Sequence, residues 1–472
     1  MGEITQASRI KTIDFTVVEK NPLYTTIALA AITLLAAALR FYQLGAWGFW
    51  IDEIYTINRA LGGASSDAFT NPLSFRLIGL ALVSLGTDEF NARLVPAVIG
   101  VISIPAFYFP IRRLFGTTTA LLAVLLLAVS PWHLYWSQNA RFYTALVLFY
   151  GLAELFFFFW MESDNLWYLL PTGLFFGLAI LERRVSLYFV PVVAVYFLAL
   201  LVLPFGKPPG LRWRNIIIMV LPALAFAGYE LVSAGYVASF FTKIVGHQHN
   251  PLRVLLSVIY DLGLPLFLMA LLGGSYLFSQ RSRAGLFLLA GALVPLLLLV
   301  VMAPFTQTFS RYIFHTLPNW IILAAVGVKE LVAHTQKPAR LLALGVALVL
   351  VADAISQDVL YYTFQNGNRE DFKSAFSVVR EEKQAGDLVV AGRPEVGAYY
   401  LGEAVLSPQE ITINGITQAK QRVWFVLDNR SGIPPFLQRW VEDNAQLVSV
   451  HDVSIPGKIM TMRVYLYQPS GP

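Results

Sequence analysis

The 472-residue chain has no cysteine, so disulfides and thiolate metal sites are excluded, while the compartment stays open. It is also short of charge. Only 13% of its residues are Asp, Glu, Lys or Arg, against roughly 25% in a soluble globular protein. It lacks a continuous basic stripe as well. The formal net charge of +5 is scattered between apolar runs, which argues against nucleic acid as a partner. The first apolar run, from about residue 22, is about 20 residues long and has no small-residue cleavage site behind it. It is expected to stay as a membrane span.

What the chain has in abundance is hydrophobic sequence, 57% of its residues. About eleven apolar runs are expected to span a membrane: 22–42, 94–113, 117–131, 142–160, 166–181, 186–203, 214–234, 254–278, 285–303, 313–330 and 340–356. Basic turns set the orientation. Arg9, Lys11 and Lys20, Arg112 and Arg113, Lys207, Arg212 and Arg214, Arg281 and Arg283, and Lys329, Lys337 and Arg340 all fall on one side if the count is eleven. That side is the cytoplasm, the N-terminus included. The stretch 44–93 then lies wholly outside. Its apolar piece, PLSFRLIGLALVSLG at 72–86, is short for a span and is read as an interfacial or re-entrant helix. Residues 1–356 thus form a transmembrane domain, expected in the plasma (inner) membrane. Residues 357–472 alternate helical and strand patterns and read as a small extracytoplasmic α/β domain. Its strands are expected near LVV at 388–390, in RVWFVLD at 422–428, and in KIMTMRVYLYQP at the end.

External loops should be poor in arginine, yet Arg59, Arg76, Arg93, Arg141, Arg183, Arg184, Arg253 and Arg311 all map there. Snorkelling to headgroups or pairing with acids accounts for a lone arginine. Arg141 and Arg311 together suggest phosphate binding, for which the guanidinium fork is suited. The acids lean outward too: Asp52, Glu53, Glu230, Asp261 and Asp353, with Glu154 inside its span as the exception; Glu154 and Asp353 are read as packed carboxyls paired to a neighbour. Trp47, Phe49, Trp50, Trp132 and Trp136 accompany them, most as an interfacial aromatic belt. The pattern describes an outward-facing cavity, with a lipid-borne phosphate below and a polar acceptor above.

Several segments, in order, resemble one family. LRFYQLGAWGFWIDEIYTINRAL, EFNARLVPAVIGVISIPAFYFPIRRLFG, SPWHLYWSQNARFYTALVLF, SRYIFHTLPNWIILAA and REDFKSAFSVVREEKQAGDLVV are similar to stretches of glycosyltransferase family 39 and its relatives. These are the protein O-mannosyltransferases and the lipid A aminoarabinose transferases. The resemblance implies a GT-C fold and a polyprenyl-monophosphate sugar as donor. It also implies that the first acid of the loop pair, Asp52, is the catalytic base, and that Arg141 touches the donor phosphate. Two positions depart from the pattern. Asn71 stands where relatives often have histidine or lysine, and Asn139 where many bacterial relatives have glutamate. Arg76, about a turn beyond Asn71, is placed to supply the missing charge.

The chemistry expected is a single inverting displacement. An acceptor hydroxyl attacks the anomeric carbon, Asp52 takes its proton, and arginines stabilise the departing phosphate. Arg141 and Arg311 are assigned to the phosphate, with Arg183, Arg184 and Arg76 in support. Glu53 points elsewhere than Asp52 whether the pair is extended or helical. Tyr55, Gln138, Tyr143, Tyr312, Glu230 and Asp261 are expected around the substrate cavity. No divalent metal is required by this reading; His247 and His249 have metal-like spacing but no third ligand. Two rivals remain. One is a catalytically inactive GT-C-like subunit of a larger membrane complex, favoured by Asn71 and Asn139. The other is a transporter, disfavoured because no inverted repeat or paired broken spans are visible. The sugar stays open, as does the acceptor, whether protein, lipid or glycan.

Overall fold

The computed structural model describes residues 22–62, 72–221, 228, 249–333, 337–429, 431, 433–456 and 458–469. Glu230, Asn71 and His247 lie outside the described residues. The chain is a multi-pass helical membrane protein with a small sheet near its C-terminus. Among the described residues, six helices are long and apolar enough to cross a membrane, or up to eight if each of two bent helix pairs is one span. Of the eleven expected runs, those at 166–181 and 313–330 are shorter helices, Leu169–Glu182 of 14 residues and Leu317–Ala333 of 17. Most of 214–234 lies outside the described residues.

The site is framed by the first seven helices. These are α1 (Pro22–Phe41), α2 (Ile51–Leu61), α3 (Leu73–Leu85), α4 (Glu89–Phe115), α5 (Thr117–Ala128), α6 (Pro131–Ser137) and α7 (Tyr143–Ser163). The interior is helix α7, buried on almost every side, as an all-round apolar helix must be. Glu154, near its middle, accepts a hydrogen bond at 2.8 Å from Asn319 of the Leu317–Ala333 helix. That helix meets Leu264–Ser279 at two glycines. A Cβ on Gly273 would stand 1.9 Å from the Leu323 carbonyl, and one on Gly327 would stand 2.4 Å from the Met269 carbonyl. Small residues let membrane helices approach this closely.

The chain bends sharply at two places, at the end of the expected span 117–131 and inside the expected span 254–278. Helices α5 and α6 meet at 56°, and Pro251–Leu262 meets Leu264–Ser279 at 93°. The second break falls at Gly263, with φ +82°, followed by Pro265 in the first turn of the next helix. A hydropathy run cannot register this bend, because Leu262, Gly263 and Leu264 are all compatible with a membrane interior.

The C-terminal region carries helix Phe372–Glu382, then β1 (Leu388–Ala391), helices Pro394–Leu401 and Ile413–Ala419, and β2 (Val423–Asp428). Helix Pro435–Asn444, β3 (Gln446–Ile455) and β4 (Lys458–Tyr467) complete it. The sheet order is β1-β2-β4-β3; β1 and β2 run parallel and the other pairs antiparallel. Strand β2 is central and buried throughout, which its continuous apolar run requires. Strand β3 is an addition to the expected set. It lies at the sheet edge, and QLVSVHDVSI keeps only Val453 fully buried. The helix Lys337–Thr363 continues past residue 357 before the chain turns into this region.

Candidate active site

The loop 44–50 leads into α2, whose first turn contains both acids of the DE pair. Carboxylates there complement the helix dipole, but the two side chains diverge. Glu53 turns into the protein and is fully buried. Arg93 of α4 grips it with two parallel hydrogen bonds, Nε to Oε1 and Nη2 to Oε2, both 2.8 Å. The Ala140 N–H donates to Oε1 at 2.8 Å. The rest of the Arg93 fork donates to the carbonyls of Leu44, Trp47 and Gly48. Burial alone would raise the Glu53 carboxyl, yet Arg93, Arg369 and the Ala140 N–H together hold it below its ordinary value. One buried ion pair therefore joins the 44–50 loop, α2, α4 and the turn before Arg141. Arg93, one of the arginines expected outside, is explained by pairing with an acid.

Asp52 faces the other way and keeps 23% of its side chain exposed. Its nearest cation is Arg311 Nη1, 3.6 Å from Oδ2. Arg141 Nη1 donates to the Asp52 carbonyl and to Thr56 Oγ1, each at 2.8 Å, so Arg141 is braced against the first turn of α2. Burial lowers the Arg141 guanidinium, the Asp52 charge opposing that effect. Phe142 lies between two cations. Arg141 and Arg183 each place a guanidinium 5.3 Å from its ring centre.

These residues line a cavity of ≈ 570 Å³ bounded by Asp52, Tyr55, Asn58, Arg59, Pro72, Phe75, Arg141, Phe142 and Arg183. Three arginines and one carboxylate give it a positive lining. A larger cavity of ≈ 780 Å³ lies beyond Arg311 and includes Trp50, Asp261, Asp353, Arg369 and, at the start of β4, Lys458. The Asp52–Arg311 contact brings the two cavities together.

Other expected site residues take different places. Gln138 is fully buried and donates to the carbonyls of Leu39, Arg40 and Tyr42, holding the end of α1. Tyr143 packs on Trp136, ring centres 3.9 Å apart, and Tyr312 lies beside Arg311. Neither lines the two cavities, nor do Arg76, which is exposed on α3, and Arg184. Asn139 accepts from the Trp50 indole at 2.8 Å, so the departure at this position has a structural use. His249 is held by Thr308 through Nδ1. Among the described residues, no group of three or more His, Cys, Asp or Glu is placed to hold a metal ion. Residues the sequence reading did not single out also matter here. Thr56 anchors Arg141, while Phe75 and Phe142 wall the smaller cavity. Thr56 follows Asp52 by four residues, the helical spacing that would have pointed to it.

Residues 71–227 match the family described as dolichyl-phosphate-mannose-protein mannosyltransferase. The chain superposes on ArnT from Cupriavidus metallidurans in the apo state with a TM-score of 0.61 and 16% identity, over 95% of this chain and 100% of that one. By fold the chain is a GT-C protein. ArnT bound to undecaprenyl phosphate gives a TM-score of 0.59 at 15% identity, over 96% of this chain and 100% of that one. The archaeal oligosaccharyltransferase AglB from Archaeoglobus fulgidus, in complex with an inhibitory peptide and a dolichol-phosphate, gives 0.54 at 14% identity, over 86% of this chain and 69% of that one. No curated protein matches the sequence. The GT-C likeness extends through the C-terminal sheet as well as the membrane helices.

Proposed function

We propose that this chain is an integral-membrane glycosyltransferase. It moves a sugar from a polyprenyl-monophosphate donor to an acceptor hydroxyl on the extracytoplasmic face, where the C-terminal domain also lies. One observation carries the reading: the Asp52 carboxylate lines a cavity whose other charged walls are Arg59, Arg141 and Arg183, with Arg311 3.6 Å away. The family match over 71–227 and the GT-C fold support it. So do the lipid phosphates carried by ArnT and AglB, undecaprenyl in one and dolichol in the other.

In this reading the donor phosphate lies against Arg141 and Arg183. Arg141 is braced through one nitrogen, which fixes its fork before the substrate arrives. The acceptor hydroxyl approaches the anomeric carbon from the side of the larger cavity. As the new C–O bond forms and the sugar–phosphate bond breaks, Asp52 takes the hydroxyl proton and the phosphate leaves with the bonding electrons. Negative charge grows on the phosphate in the transition state, so fixed guanidinium groups stabilise it more than the ground state. Arg311 orients Asp52 without the bidentate grip that would occupy both its oxygens. Arginine charge neutralises the monophosphate, and no divalent metal enters the reading.

Asn139 is engaged by Trp50, so its departure from the family pattern does not argue for a degenerate subunit. The test is transfer from a synthetic undecaprenyl-phosphate sugar in proteoliposomes, with the product's anomeric configuration read by NMR. Transfer with inversion is expected. Transfer with retention would contradict the single displacement, and absence of transfer across a panel of donors and of protein, lipid and glycan acceptors would favour an inactive subunit.

A further inference from the structure

The Asp52 loop is held from two sides. The membrane side is the Arg93 fork already described. The other side comes from more than 300 residues further along the chain, in the helix Pro394–Leu401. The N–H of Phe49 donates to the Tyr400 hydroxyl at 2.6 Å, and that hydroxyl donates to Glu89 Oε1 at 3.1 Å. Burial and the neighbouring Glu89 push the Tyr400 phenol above its ordinary value, so it stays protonated and keeps donating. Tyr399 donates to the Thr87 carbonyl at 2.6 Å, and its ring meets Phe49 edge-on with centres 5.2 Å apart. Phe49 is fully buried between this ring and the Arg93 guanidinium, which lies 5.2 Å from its centre. Gly48 has no room for a side chain: a Cβ there would stand 2.8 Å from Lys373 Cβ and 3.0 Å from the Tyr400 oxygen.

Phe49 stands just before the α2 N-cap, and its buried backbone N–H, outside the helical ladder, needs a partner from elsewhere. The α2 N-cap residue, Trp50, makes no side-chain cap. We infer that the helix Pro394–Leu401 of the C-terminal domain is a positioning element of the active site, with Tyr400 clamping the loop three residues before Asp52. The domain then does more than line part of the larger cavity. It fixes the entry of α2, and so sets where the Asp52 carboxylate stands relative to Arg311. Tyr400 is a positioning residue; it touches no substrate.

The catalytic part of this inference rests on the Asp52 reading, but the clamp does not. The experiment is therefore hydrogen–deuterium exchange on the full-length protein in nanodiscs, wild type against Tyr400→Phe, with Tyr399→Phe as a second variant. Tyr400→Phe keeps the ring and removes one hydroxyl. Exchange in residues 47–53 should speed up about tenfold, the size expected for losing one buried hydrogen bond, while α4 stays protected. Unchanged exchange at 47–53 would overturn the clamp. Turnover per folded molecule should fall in the same variant, with undecaprenyl-phosphate affinity unchanged; faster exchange with unaltered turnover would overturn the positioning role. If the wild type transfers no sugar, faster exchange still upholds the clamp, and only the catalytic reading falls.

Discussion

Asp52 and Glu53 are neighbours in sequence and opposites in environment. Glu53 has no exposed surface, and its oxygens take three hydrogen bonds at 2.8 Å. Asp52 is partly exposed and has one cation at 3.6 Å. A carboxylate saturated with donors is committed to the fold. One left with a single loose partner beside a cavity is available for chemistry. Adjacent side chains on a helix leave about 100° apart, so one turn of α2 serves both purposes without either group disturbing the other.

The sharpest way to break this comparison is to neutralise each acid in turn. Asp52→Asn should lower transfer by about 10²- to 10⁴-fold, the usual contribution of a general base, with thermal stability shifted by under about 0.5 kcal/mol. Full activity in Asp52→Asn would remove it from the base role. Glu53→Ala should do the reverse. It leaves the Arg93 guanidinium buried without its carboxylate, which costs about 3–5 kcal/mol and is expected to reduce the yield of folded protein. A Glu53→Ala protein as stable as wild type, measured by thermal unfolding in detergent, would undo the structural half of the comparison.

Next in size is Arg141→Ala. Loss of a charge-assisted contact to phosphate is expected to weaken donor binding by about 10- to 100-fold, consistent with about 1.5–3 kcal/mol for such a bond. The smallest effect concerns acid. Because Glu53 is held below its ordinary value in the fold, its contribution to stability is complete above the unfolded value of about 4.3 and fades as pH falls below it. Glu53→Gln should therefore be less stable than wild type at neutral pH, and the gap should narrow below about pH 4.3. A gap that stays constant between neutral pH and pH 3 would contradict that assignment.

Much of this was legible in the sequence. Long apolar runs fix the membrane class, and the GT-C likeness follows from ordered segments of the chain. The divergence of Asp52 and Glu53 follows from helical geometry alone. The role of Arg93 was visible only as one of two alternatives, because sequence shows a misplaced arginine without its partner. Gln138 misled by its neighbourhood. It adjoins the Arg141 turn, yet its amide is spent on carbonyls at the end of α1 that only the tertiary fold brings near. The Gly263 break is silent because hydropathy does not report direction. Strand β3 is silent because an edge strand with one solvated face lacks the apolar run that marks β2. Tyr400 stands more than 300 residues from the loop it holds, and no local pattern joins them.

The most direct test of the central claim is native mass spectrometry of undecaprenyl phosphate on purified wild type, Arg141→Ala and Asp52→Asn. Wild type is expected to retain the lipid phosphate in preference to ordinary phospholipid, Arg141→Ala to lose that preference, and Asp52→Asn to keep it. Equal retention of undecaprenyl phosphate and phospholipid by the wild type would contradict that claim.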